Sequence, residues 1–136
     1  MISVEESVRT VPRAEGTTIH YTGVGPADGP PWVYIHGWGC RRTDFAPVAT
    51  FLPTDDRVIS VDLPGHGDST SARTDWTMAE FARDATAVLG AESAARCVAV
   101  GHSMGGAVAL EPGSHHFLLE KPAGTAEFLV AARRTA

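Results

Sequence analysis

The chain has 136 residues, of which 43% are apolar and 20% charged, with a formal net charge of -5. That length suggests one domain with a sizeable buried core. The mild acidity excludes nucleic acid as the default partner, since phosphate binding needs clustered Lys and Arg and the only basic pairs are Arg41-Arg42 and Arg133-Arg134.

In chain order, residues 2 to 11 and 17 to 22 alternate as strands do, with a turn at Glu15-Gly16 between them. The segment GPADGPP, residues 25 to 31, is a loop by composition. Trp32-Val33-Tyr34-Ile35 is a short apolar run ending in His36-Gly37-Trp38-Gly39, which reads as a buried parallel strand. Residues 44 to 52 place Phe45, Val48, Ala49 and Leu52 on one helical face. Residues 57 to 61 form a second buried strand, running into the loop DLPGHGDS, residues 62 to 69. Thr77 and Glu80 spell a capping box, followed by Met78, Phe81, Ala82, Ala85, Val88 and Leu89 at helical spacing. Residues 96 to 100 form a third buried strand, and Ser103 to Leu110 a small-residue helix. Glu111 to His116 is a loop, and Pro122 to Arg134 reads as a final helix with Pro in its first turn and Arg in its last.

Strands alternating with helices predict an α/β fold, with a mostly parallel sheet of about five strands and helices on both faces. Loops at the carboxyl ends of such strands carry chemistry. HGWG, DLPGHGDS and GHSMGG all follow strands, so they gather at one edge of the sheet. Gly101-His102-Ser103-Met104-Gly105 matches G-x-S-x-G between a strand and a helix. The spacing has a steric reason: the serine sits on a tight turn, and residues two before and two after must lack side chains for it to close. The turn lifts the Ser103 hydroxyl into the open and puts the Met104 amide where negative charge is stabilised. An acyl-transfer serine needs a second oxyanion donor, and the Trp38 amide on the neighbouring strand end is the natural one.

These three motifs, in this order, resemble the α/β-hydrolase superfamily and its esterase-like branch. The resemblance runs from residue 17 to about residue 110. It implies Ser103 as nucleophile, Trp38 and Met104 as oxyanion donors, and His36, Gly37 and His102 beside the substrate. It implies that Asp62 to Ser69 form a structural loop near the site, and that no metal or organic cofactor takes part. Serine at 103, where dehalogenases and epoxide hydrolases carry aspartate, points away from those branches.

Family members are about twice this length. Past the nucleophile helix they add three more strands, often a cap, and the triad acid. Here Gly113 to Pro122 instead resembles the family's far C-terminal segment, which bears the catalytic histidine. The chain therefore reads as one reduced domain, residues 1 to 136. Residues 1 to 110 run to the nucleophile helix, and residues 111 to 136 hold a histidine loop and a last helix. By position His116, directly before Phe-Leu-Leu-Glu-Lys-Pro, matches the family base, with His115 as fallback. The nucleophile helix is on the order of 10 Å long, and residues 111 to 116 extend up to about 20 Å. His116 thus reaches Ser103 if the loop doubles back, or a second chain supplies the histidine. The segment that bears the acid is missing. Asp62 is expected to brace its loop, Glu120 matches a non-catalytic position, and Glu111 lies at the junction. The expectation is a Ser–His dyad.

The expected function is a weak serine esterase on small-molecule esters. The alternatives are a catalytically dead binding domain or truncated product, and a cofactor-free perhydrolase. The strand at residues 96 to 100 should lack its usual outer neighbour, which predicts a homo-oligomer. Cys97 in an apolar run and Cys40 in a glycine loop suit a reducing cytoplasm. The opening MISVEESVRT lacks the basic and hydrophobic regions of a signal peptide, and no apolar run reaches the length of a membrane span.

Overall fold

The computed structural model describes residues 7–28, 31–49, 57–111, 117–120 and 128–133. Strands β1 (Val8–Arg13) and β2 (Thr17–Val24) form the expected antiparallel hairpin. Its turn holds Glu15 and Gly16 at φ of 57° and 64°, a left-handed pair that matches the twist of the two strands. Three short apolar strands follow: β3 (Trp32–Ile35), β4 (Val58–Val61) and β5 (Val98–His102). They pair in parallel in the order β4-β3-β5, and β2 closes antiparallel on β4.

Period-two alternation sorts their side chains onto two faces. Val33, Ile35, Ile59, Val61 and Ala99 join the main core. There they meet Phe81, Val88 and Leu89 of helix α2 (Met78–Ala91) and Val108 of helix α3 (Met104–Ala109). Tyr34 and Val100 look the other way and meet Phe45, whose ring stacks on Tyr34 at 4.2 Å. Phe45 ends a 3-10 turn, Arg42–Phe45, that runs into the single helical turn α1 (Ala46–Ala49). Helices α2 and α3 thus cover one face, and the 3-10 turn meets the other through Phe45. The start of α2 follows from its sequence: the Thr77 hydroxyl accepts from the Glu80 amide at 3.2 Å.

The five expected strands are all present, and the sheet then goes further. Two more strands, β6 (Phe117–Glu120) and β7 (Phe128–Arg133), extend it to seven, in the order β1-β2-β4-β3-β5-β7-β6. The final helix expected over residues 122 to 134 is therefore corrected: residues 128 to 133 are a strand. The run Phe-Leu-Val-Ala-Ala-Arg is too short for its period to separate helix from strand. An open strand edge decides the matter, because β7 pairs antiparallel along β5, from Val98 opposite Ala132 to His102 opposite Phe128. Residues 50 to 52, 122 to 127 and 134, which completed the first and last expected helices, lie outside the described residues.

Candidate active site

Ser103 sits between β5 and α3 with φ 53° and ψ -115° and is exposed. A serine tolerates such angles only where surrounding packing imposes them. That packing is visible in its glycines. A Cβ on Gly101 would lie 2.5 Å from the Gly105 carbonyl and the Gly106 Cα. A Cβ on Gly105 would lie 1.9 Å from the Ile35 carbonyl oxygen. The start of α3 therefore rests directly on the end of β3, and only two bare backbones come that close. The Ser103 side chain makes no capping bond to its own helix. The Met104 amide opens that helix.

The same contact brings the loop after β3 to the serine. A Cβ on Gly37 would meet the Ser103 Cβ at 3.2 Å, the His102 carbonyl at 3.1 Å and the His102 Nδ1 at 3.3 Å. Ser103, Gly37, His102 and Met104, four of the residues expected at the site, are thus in one place. Trp38 follows Gly37 at the head of a turn closed by the Cys40 amide on the Gly37 carbonyl at 3.1 Å. Its indole is 74% exposed.

His36 has a different place from the one expected. Expected beside the substrate, it is 0% exposed. Its Nδ1 lies 2.7 Å from the Gly37 carbonyl, and its Nε2 accepts from the Leu63 amide at 3.0 Å. These bonds fix the neutral tautomer. Burial lowers its pKa, against the Gly37 carbonyl, which raises it. His36 is a strut between the β3 loop and the β4 loop.

Asp62 is also 0% exposed, and it braces the loop as expected. Its carboxylate accepts from the Arg42 amide at 2.7 Å, from the Asp68 amide at 3.0 Å and from the Arg42 guanidinium. Its buried carboxylate is thus committed to holding the loop together. His115 and His116 lie outside the described residues. Glu111 is described, half-buried just past α3.

One part of this edge escaped sequence reasoning. Trp38, Gly39, Pro64, Gly65, His66 and Trp76 enclose an open groove of about 440 Å³. His66 stood in a motif read as structural, and Trp76 stood just outside the capping box. An aromatic placed before a helix cap, off its apolar face, was the available signal.

Comparison with known proteins places this geometry in context. A family model described as "Alpha/beta hydrolase family" matches residues 32–135. A non-heme chloroperoxidase of Streptomyces lividans is 39% identical over 98 residues, covering 71% of this chain and 36% of that protein. A bifunctional esterase/perhydrolase of Acinetobacter calcoaceticus is 37% identical over 93 residues, covering 68% of this chain and 34% of its own. Among solved structures, an N-acyl homoserine lactone degrading enzyme superposes with a TM-score of 0.67 at 32% identity, over 74% of this chain and 38% of that one. The chain spans about a third of the length of the curated relatives it matches.

Proposed function

The chain belongs to the alpha/beta hydrolase family, and from that premise we propose that it is a serine hydrolase cleaving small carboxylic esters through an acyl-enzyme. One observation carries the reading: an exposed serine held at φ 53° on a strand-to-helix turn, against the loop that ends β3. In the proposed reaction Ser103 Oγ attacks the ester carbonyl carbon as its proton passes to His116. The oxyanion forms against the Trp38 and Met104 amides. Its collapse expels the alcohol, which takes the proton from His116. Water then repeats the sequence on the acyl-enzyme and releases the acid. No cofactor enters this scheme. With Asp62 committed to Arg42, the scheme is a Ser–His dyad. Loss of a triad member still leaves about 10³ to 10⁴ over water, so a weak esterase is what the chemistry allows. The free thiols Cys40 and Cys97 support a reducing cytoplasm as its setting.

The test is covalent. An organophosphonate should add to Ser103 and to no other serine, read by intact mass and peptide mapping. His116→Ala should lower turnover on an activated short-chain ester by about 10²- to 10⁴-fold, with His115→Ala much nearer wild type. The wild-type rate should rise with pH through a group near the ordinary histidine value of about 6.5. An adduct that persists in Ser103→Ala would refute the reading. No adduct at all would leave a hydrolase-like binding domain.

A second reading is favoured by the names of two relatives, the chloroperoxidase and the esterase/perhydrolase. In a perhydrolase the acyl-enzyme is opened by hydrogen peroxide in place of water. Peroxide-dependent halogenation that requires a carboxylic acid and Ser103 would identify it.

A further inference from the structure

The groove that starts at Trp38 has walls of an unusual kind. Its volume, about 440 Å³, lies in the range of small-molecule pockets. Trp38 forms one wall and Trp76 another, and both are exposed, at 74% and 41%. Two exposed indoles facing one cleft are a binding feature more often than an accident of surface composition.

Each wall is held in place by its neighbours. The Trp76 ring lies over Gly65, where a Cβ would meet two of its carbons at 3.2 Å. It also faces Phe81, 6.1 Å away between ring centroids. Trp38 meets the His66 ring edge-on, at 5.4 Å and 83°. His66 also contacts the rings of His36 at 4.8 Å and Phe81 at 6.4 Å. The His66 Nδ1 donates to the Pro64 carbonyl at 3.1 Å, which fixes the ring's orientation. Gly39 and Gly65 add backbone with no side chain to obstruct a flat ligand.

The chemistry of the lining excludes most alternatives. Among the described residues, no Asp, Glu, Lys or Arg lines the groove, and His66 is the one ionisable group there. A carboxylate would lack a guanidinium or ammonium, and an ammonium, though drawn to indole faces, would lack a carboxylate to balance it. A flexible alkyl chain would gain burial but not the edge and face interactions that ordered aromatic walls give to another ring.

We propose that this groove is the subsite for an uncharged aryl group, so that the substrates are esters carrying a planar ring close to the scissile carbonyl. The role rests on the serine hydrolase reading, because the groove starts at Trp38, beside the Gly37 that touches Ser103. The binding of the ring itself does not rest on it.

The experiment measures binding without turnover. Phenylacetamide and cyclohexylacetamide are similar in size, neutral and not esters. Each is titrated calorimetrically into the wild-type chain, Ser103→Ala and Trp76→Leu. Phenylacetamide should bind on the order of tenfold more tightly than its saturated partner. The preference should persist in Ser103→Ala and fall towards parity in Trp76→Leu. Equal binding of the two amides by the wild-type chain would overturn the subsite, and so would an undiminished preference in Trp76→Leu. The wild-type comparison stands even if that variant does not fold. An aryl preference without an organophosphonate adduct would sink the hydrolase reading and keep the subsite. An adduct without aryl preference would do the reverse.

Discussion

Gly105 is where a single missing side chain decides the site. A Cβ there would lie 1.9 Å from the Ile35 carbonyl oxygen and 2.6 Å from its carbon, and neither backbone has room to yield. Gly90, near the end of α2, is the natural control, since a Cβ there has no neighbour within 4 Å. Gly105→Ala should therefore cost about 3 kcal/mol or prevent folding, as overpacking does when nothing can move. Gly90→Ala should raise stability by about 0.5 to 1 kcal/mol, the usual gain on replacing a helical glycine. Urea melts of both variants check this. A Gly105→Ala chain as stable as wild type would mean that α3 does not rest on β3 as described.

Among the elements, α2 is tied to the sheet by charge as well as by its apolar face. Asp84, fully buried, receives two bonds from the Arg73 guanidinium at 2.7 and 2.8 Å and one from Arg13 at 3.1 Å. At the C-terminal end of α2, Glu92 accepts from Arg9 of β1, Tyr21 of β2 and Arg57 at the start of β4. Burial alone would raise the Glu92 pKa, but these three donors outweigh it and hold the group at about 2. The folded carboxyl is thus more acidic than the unfolded one, near 4.3. Its contribution is complete above that unfolded value and is lost as pH falls towards about 2. Glu92→Gln should cost about 1.5 to 3 kcal/mol at pH 7, the scale of hydrogen bonds to a charged group. It should also lose less stability than wild type between pH 5 and about 2. Parallel stability curves for the two proteins over that range would show that Glu92 is not held by its three donors.

At the scale of the whole molecule, the exposed edge of the sheet has moved. A homo-oligomer was expected because β5 should have ended the sheet. β7 of the same chain now lies along β5, and β6 lies beyond it. The opposite edge, β1, carries Arg9, Pro12 and Arg13, which discourage strand addition. Among the described residues β6 is the last strand at the other edge, and its sequence, Phe-Leu-Leu-Glu, is mostly apolar. Self-association is therefore proposed through β6, with light scattering expected to give at least a dimer mass. A monomer mass across a broad concentration range would refute it.

The sequence by itself determined the β1–β2 hairpin, the three parallel strands, the capped helix α2 and the serine turn. Each of these rests on local signals: turn residues, apolar runs, a capping hydroxyl, and glycines two positions from a serine. The adjacency of HGWG and GHSMGG was also legible, because parallel strands deliver their loops to one edge. Tertiary structure alone decided the rest. Residues 128 to 133 are a strand because β5 offers them unpaired backbone groups, and no window of their own sequence contains that edge. His36 is a strut because the Leu63 amide, 27 positions away, reaches its Nε2. The aromatic groove exists because Trp38 and Trp76, far apart in the chain, are set around His66 by two loops that pack only when the sheet is formed. Periodicity and motif spacing record what neighbours in sequence do, whereas burial, register and cavities depend on partners that meet only in the folded chain.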